Sequence, residues 1–120
     1  MKVIPRISNF ARKSRSRIQS AIRTNQVGFL IVYVTNRCNF RCNFCFYSEE
    51  IEKGFKSDEL TVDEFVEISK KIGPLVQLSF TGGEPFLRKE LDEITQTFIN
   101  YTNALYITIP TNASMPQRML

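Results

Sequence analysis

Three short runs constrain the fold more than anything else in this chain: FLIVYVT at 29–35, LVQLSFT at 75–81 and ALYITI at 104–109. Each is rich in β-branched and aromatic side chains, and FLIVYVT is apolar at odd and even positions alike. A strand with one wet face alternates, whereas a strand covered on both faces, as in a parallel sheet, does not. The segments between the runs carry helical spacing. Thr61-Val-Asp-Glu64 is a capping box, in which the Thr hydroxyl accepts from the Glu64 amide while the Glu64 carboxylate reaches back. It opens a predicted helix with Val62, Phe65, Val66 and Ile72 on one face, stopped by Gly73-Pro74. After the second run, Leu87, Leu91, Ile94 and Phe98 are spaced four, three and four apart, which predicts another amphipathic helix. Ser114 suits an N-cap, with Pro116 in the first turn of a further helix. The polar stretch YSEEIEKGFKSDEL, 47–60, reads as a loop.

Strand and helix in alternation imply an α/β fold with a parallel sheet and right-handed crossovers. Three strands alone leave an unpaired edge and a half-covered core. The expectation is therefore the N-terminal portion of a larger α/β barrel, with a domain at 27–120 that is truncated. At 120 residues, with 42% hydrophobic and 23% charged residues, the chain suits one small globular domain. Its longest apolar run, FLIVYV at 29–34, is far short of the roughly 20 residues a membrane span needs. The N-terminus lacks the apolar segment and small-residue cleavage site of a signal peptide. Cytoplasm is the expected location, a compartment that keeps cysteines as thiols or ligands.

Charge is unevenly spread. Residues 1–48 hold nine Lys/Arg and no acid, while the rest of the chain holds seven bases and twelve acids. Within 4–23, Ile7, Phe10, Ala11, Ile18, Ala21 and Ile22 recur at helical spacing with Arg and Lys between them. Residues 1–26 thus read as a basic amphipathic N-terminal helix or arm. An RNA or anionic-membrane contact is one use of such a helix. With few aromatics interleaving the bases, nucleic-acid binding is weakly supported, and a solvated helix docked by its apolar stripe is the favoured reading.

All three cysteines of the chain fall in CNFRCNFC, 38–45, and there is no histidine. A structural zinc site usually wants four ligands, and a fourth is absent nearby. A disulfide uses two of three thiols and does not suit a reducing compartment. A thioredoxin-type pair of Cys42 and Cys45 leaves Cys38 unexplained. An iron–sulfur cluster fits best, since thiolates are its usual ligands. Three cysteines on a cubane leave one iron open for a substrate or cofactor, an arrangement for catalysis rather than electron carriage. The neighbouring Phe40, Phe44, Phe46 and Tyr47 would keep water and oxygen away, or simply pack the loop.

Cys38-x3-Cys42-x2-Cys45 after the first strand, with an aromatic immediately before the last cysteine, resembles the signature of the radical S-adenosylmethionine (radical SAM) superfamily. Thr81-Gly-Gly-Glu-Pro85 after the second strand resembles its GGE motif, and Pro110-Thr-Asn-Ala113 after the third its TNG, with Ala113 in place of glycine. The resemblance implies about half of a partial TIM-type barrel preceded by the N-terminal helix. It implies that Cys38, Cys42 and Cys45 ligate three irons of a [4Fe–4S] cluster whose fourth iron chelates SAM. It implies that Gly82, Gly83 and Glu84 contact the methionine amino group, that the Phe44 backbone meets the adenine, and that Asn112 touches cofactor or substrate. Glycines let a ligand approach the backbone closely and a carboxylate accepts from an ammonium. Read without the resemblance, Thr81-Gly-Gly is a tight turn, with Glu84 and Pro85 opening the next helix.

The chemistry so implied is reductive cleavage of SAM to methionine and a 5′-deoxyadenosyl radical, which abstracts hydrogen from a substrate. An electron donor such as flavodoxin or ferredoxin is the implied partner. The substrate is not named by these residues; the basic arm tips toward an anionic or peptide partner. The strands that complete the cofactor site in the family lie beyond these 120 residues. A truncated iron–sulfur or zinc-binding module without turnover is accordingly the alternative reading. A nucleic-acid-binding protein with a zinc knuckle is disfavoured by the missing fourth ligand and by the strand–helix pattern.

Overall fold

A computed structural model describes residues 27–53 and 59–118. The N-terminal helix expected within 1–26 lies outside the described residues. Three parallel strands form one sheet in the order β1-β2-β3: β1 Phe29–Thr35, β2 Gln77–Gly82 and β3 Tyr106–Thr108. Helix α1 (Ser48–Lys53) follows β1, and α2 (Val62–Ile72) leads into β2. A 3-10 turn (Pro85–Leu87) and α3 (Leu91–Thr102) connect β2 to β3, and a second 3-10 turn covers Pro116–Arg118. Parallel strands joined through helices, in sequence order, are the α/β arrangement that the three apolar runs predicted.

The even-numbered side chains of β1 and β2 build the core. Leu78 and Phe80 are fully buried, and Leu30 and Val32 pack beside them. Phe98 of α3 stacks edge-on against Phe80 at 5.6 Å and against Phe65 of α2 at 6.2 Å, so three rings join the sheet to both helices. Such edge-to-face pairs add to the burial energy of the rings themselves. The odd-numbered face of β1 differs from expectation: among the described residues Phe29, Ile31 and Tyr33 stay exposed, at 68%, 64% and 46%. Apolar residues on both parities correctly marked a parallel strand, but the described residues cover only one of its faces.

Local signals account for the helix ends. The capping box at Thr61 is complete: Glu64 N donates to Thr61 Oγ1 at 3.3 Å and Thr61 N donates to Glu64 Oε2 at 2.7 Å. Gly73 closes α2 with φ 79°, and Asn103 closes α3 in the left-handed region at φ 48°. Val66 does not belong to the core face of α2; Ser69 is buried there instead, its hydroxyl turned back onto Val66 O at 2.8 Å.

Two sequence expectations are corrected. The polar stretch read as a loop contains α1, with Ile51 buried and Lys53 paired to Glu49 and Glu50 one turn earlier. Six residues are too few for a periodic pattern to show. The helix expected after Ser114 is only the 3-10 turn, and Ser114 does not cap it: its hydroxyl accepts from Asn39 Nδ2 at 2.8 Å instead. Among the described residues no helix is long and apolar enough to cross a membrane.

Because Phe98 meets both helix and sheet, Phe98→Ala should lower stability by about 3–5 kcal/mol, against a usual total of about 5–15 kcal/mol. Urea unfolding followed by far-UV circular dichroism measures this. A change below about 1 kcal/mol would mean that Phe98 is not at the centre of the core.

Candidate cluster and cofactor site

Since the strands are parallel, their C-terminal ends share one edge of the sheet, and the three motifs sit there together. The ladder between β1 and β2 shifts register between Tyr33 and Thr35, so Val34 is an extra residue. Such a bulge bends a strand and re-aims the residues after it. Here Val34 and Thr35 are both buried, and the chain turns directly into Arg37 and the cysteine loop.

The Gly82-Gly83 turn presses against that bend. Gly83 N donates to Thr35 O and Glu84 N to Arg37 O, both at 2.9 Å. A Cβ on Gly82 would lie 2.0 Å from Thr35 O, and one on Gly83 2.1 Å from Arg37 O. Gly82 also has φ 123°, which side-chain-bearing residues rarely adopt. The absence of side chains here is thus required by packing of the turn against β1, a reason the sequence reading did not give.

Glu84 is buried, and three hydrogen bonds occupy most of its carboxylate's acceptor sites. Its Oε1 accepts from Phe86 N at 3.1 Å and from Thr111 Oγ1 at 2.9 Å, and its Oε2 accepts from Asn112 N at 2.7 Å. It caps the Pro85–Leu87 turn, as the plain reading of Thr81-Gly-Gly-Glu-Pro expected, and also clamps the end of β3 to the end of β2. Asn112 closes the ring of loops: its Nδ2 donates to Asn39 Oδ1 at 2.9 Å, and Asn39 Nδ2 donates to Ser114 Oγ at 2.8 Å. Asn39 lies between Cys38 and Cys42, so the cysteine loop is tied to both other motifs. No sequence signal marked Asn39.

The three cysteines are free thiols, Cys38 and Cys45 half-buried and Cys42 exposed. Cys45 N donates to Cys42 O at 3.0 Å, a turn that brings these two into one bend, and Arg41 Nη1 braces the Cys38 carbonyl at 3.2 Å. Among the described residues no three His, Cys, Asp or Glu side chains are gathered to hold a metal ion. Three thiols are a donor set that suits iron by its chemistry, although the described geometry does not draw them together. The aromatic shield expected around a cluster is not formed by the described residues. Phe44 and Phe46 are 90% and 87% exposed and Phe40 47%, while the Tyr47 ring lies 5.0 Å from Tyr33 and 6.3 Å from Phe46.

Glu59, inside the stretch read as a loop, was missed by sequence reasoning. Its carboxylate takes the Arg37 guanidinium at 2.8 and 3.1 Å, Arg88 Nη1 at 2.8 Å and the Thr35 hydroxyl at 2.5 Å. Burial pushes this carboxyl up, but the bonds from Arg37 and Thr35 and the charges of Arg37 and Arg88 outweigh it, holding the group below its ordinary range.

A parallel βα sheet with a three-thiol loop after its first strand, bonded through its backbone to a Gly-Gly-Glu turn after the second, is the layout the sequence motifs led one to expect of an iron–sulfur, cofactor-binding α/β enzyme. The family model described as Radical SAM superfamily matches residues 32–120. The chain belongs to this superfamily, whose enzymes use a [4Fe–4S] cluster and SAM. It is 34% identical over 90 residues to a GTP 3′,8-cyclase of Sulfurimonas denitrificans, covering 72% of this chain and 28% of that protein. It is likewise 34% identical over 98 residues to a GTP 3′,8-cyclase of Stenotrophomonas maltophilia, covering 77% and 28%. Molybdenum cofactor biosynthesis protein 1 of Dictyostelium discoideum is 31% identical over 94 residues, covering 77% of this chain and 15% of that protein. The chain thus spans little more than a quarter of the length of the first two relatives.

Ala113 stands where the family's TNG motif has glycine, and its φ of 58° is in the left-handed region. A Cβ in that conformation costs roughly 1–2 kcal/mol. Ala113→Gly should therefore raise stability by about 1 kcal/mol, read as a higher urea midpoint at unchanged slope. A lower midpoint would show that the turn does not carry this strain.

Proposed function

We propose that Cys38, Cys42 and Cys45 hold a [4Fe–4S] cluster, and that Gly82, Gly83, Glu84, the Phe44 backbone and Asn112 hold SAM beside it. The observation that carries this reading is the pair of 2.9 Å backbone bonds joining the cysteine loop to the Gly-Gly-Glu turn. They support it by holding the root of the cysteine loop and the Gly-Gly-Glu turn side by side. When bound, cluster and SAM supply a one-electron reductive cleavage that yields a hydrogen-abstracting 5′-deoxyadenosyl radical.

The chain's own residues do the binding and orienting. The three thiols are deprotonated as they take iron. With the Gly83 and Glu84 amides taken by Thr35 O and Arg37 O, the glycine turn would offer its remaining backbone groups to the methionine end of SAM. Glu84 keeps Thr111 and Asn112 at the rim, where Asn112 also reaches the cysteine loop through Asn39. A low-potential donor such as flavodoxin or ferredoxin delivers the electron. The similarity to proteins named GTP 3′,8-cyclase makes GTP the first substrate to test, in preference to the peptide suggested by the basic arm. The family model spans residues 32–120, which carry all three motifs, so the comparisons support the cofactor chemistry more directly than the nucleotide.

Anaerobic reconstitution with iron and sulfide should load about four irons and four sulfides per chain. Cys38→Ala, Cys42→Ala and Cys45→Ala should each abolish this loading while the far-UV circular dichroism spectrum is kept. Zinc uptake without inorganic sulfide would overturn the reading in favour of a zinc-binding module.

A further inference from the structure

Glu59 lies outside every motif, yet it receives more polar contacts than any cysteine-loop residue. Its side chain is 5% exposed, and its four donors come from three places: Thr35 at the end of β1, Arg37 next to Cys38, and Arg88 four residues after Glu84. Arg88 is also buried. Its Nη2 donates to Leu60 O at 2.7 Å, and its Nε lies 2.9 Å from Glu90 Oε2 in an ion pair without hydrogen-bond alignment. Two arginines and two glutamates leave this cluster electrically balanced. Removing the Glu59 carboxylate from it would leave Arg37 without its ion-pair partner and the almost wholly buried Arg88 with only Glu90 and the Leu60 carbonyl.

The geometry gives the cluster a direction. Arg37 is held twice, by its guanidinium on Glu59 and by its carbonyl on the Glu84 amide at 2.9 Å. Thr35 is held in the same two ways, by its hydroxyl on Glu59 and by its carbonyl on the Gly83 amide at 2.9 Å. Thr35 Oγ1 also accepts from Arg37 N at 3.1 Å, which fixes the turn between them. Every connection between the cysteine loop and the Gly-Gly-Glu turn along this side therefore runs through a residue that Glu59 grips. Arg88 adds a second grip on the far side of that turn.

We propose that Glu59 is a positioning residue, a carboxylate clasp that fixes the cysteine loop against the Gly-Gly-Glu turn and so sets the place where SAM meets the cluster. The inference rests on the radical SAM reading for its cofactor, but its structural half concerns only this chain. Cluster ligation needs the three thiols alone, which any closed loop can supply. SAM must be met by the cluster and the glycine turn together, so it depends on their relative position. Loss of the clasp should therefore weaken SAM binding far more than iron loading. Contacts behind a metal's direct ligands commonly change affinity or activity by about tenfold to a hundredfold.

Glu59→Gln keeps the size of the side chain and removes its charge; Glu59→Asp keeps the charge and shortens its reach. In the reconstituted Glu59→Gln protein, iron and sulfide per chain should equal the wild type. Titration with SAM, followed by the change in the electron paramagnetic resonance spectrum of the reduced cluster, should show affinity reduced roughly tenfold or more. In the protein without cluster, hydrogen exchange at the Gly83 and Glu84 amides should speed up, while amides in the β1–β2 ladder exchange as before. Should Glu59→Gln fail to fold, Glu59→Asp and Arg88→Lys are measured in its place, with the same expectation. Unchanged SAM affinity together with unchanged Gly83 and Glu84 exchange would overturn the clasp. Wild-type protein that takes up no iron would instead overturn the cofactor reading, with the exchange result still deciding whether Glu59 holds the two loops.

Discussion

Everything at the functional edge of this sheet depends on how closely two backbone segments approach. The turn at Gly82-Gly83 lies so near the end of β1 that a methyl group on either glycine would overlap a carbonyl oxygen. In exchange for that proximity, two amides of the turn bond two carbonyls at the root of the cysteine loop. A backbone contact of this kind has no rotamers to lose, so it positions the loop with little flexibility. The bulge at Val34 prepares it by turning Thr35 toward β2, and Glu84 extends it by joining the end of β3 to the same block.

A second layer of charge surrounds this contact. Arg37, Glu59 and Arg88 bring together residues from three separate parts of the sequence in a largely buried site. Buried ion pairs add little to net stability but are costly to break singly, and here Glu59 takes donors from both arginines at once. That property suits a loop held in one position against the glycine turn. Cluster loop, glycine turn and carboxylate clasp form one connected unit, with Asn39, Asn112 and Ser114 tying its outer rim.

The features legible in the sequence were local ones. The three strands showed as apolar runs, α2 through its capping box, and the motif positions through their place after each strand. These features rest on contacts within a few residues, where spacing carries information. Glu59 was not legible, because its partners lie 22 to 29 residues away and nothing near it is periodic. Helix α1 was hidden for a related reason: it exists through Ile51 burial and the pairing of Lys53, which a polar string does not display. Gly82 and Gly83 were singled out for the approach of a ligand, whereas the groups that crowd them in the structure belong to the chain itself. Ala113 went the other way: the glycine expected by the motif is absent, yet the backbone adopts the left-handed turn.

The central claim is that three thiolates leave one iron of a cubane for SAM. Mössbauer spectroscopy of the protein reconstituted with iron-57 tests it most directly, because it distinguishes iron sites within one cluster. The account predicts that adding SAM changes the signal of one iron in about four, while the three cysteine-bound irons stay as they were. A spectrum in which SAM changes no site, or in which no cubane signal is present, would contradict it.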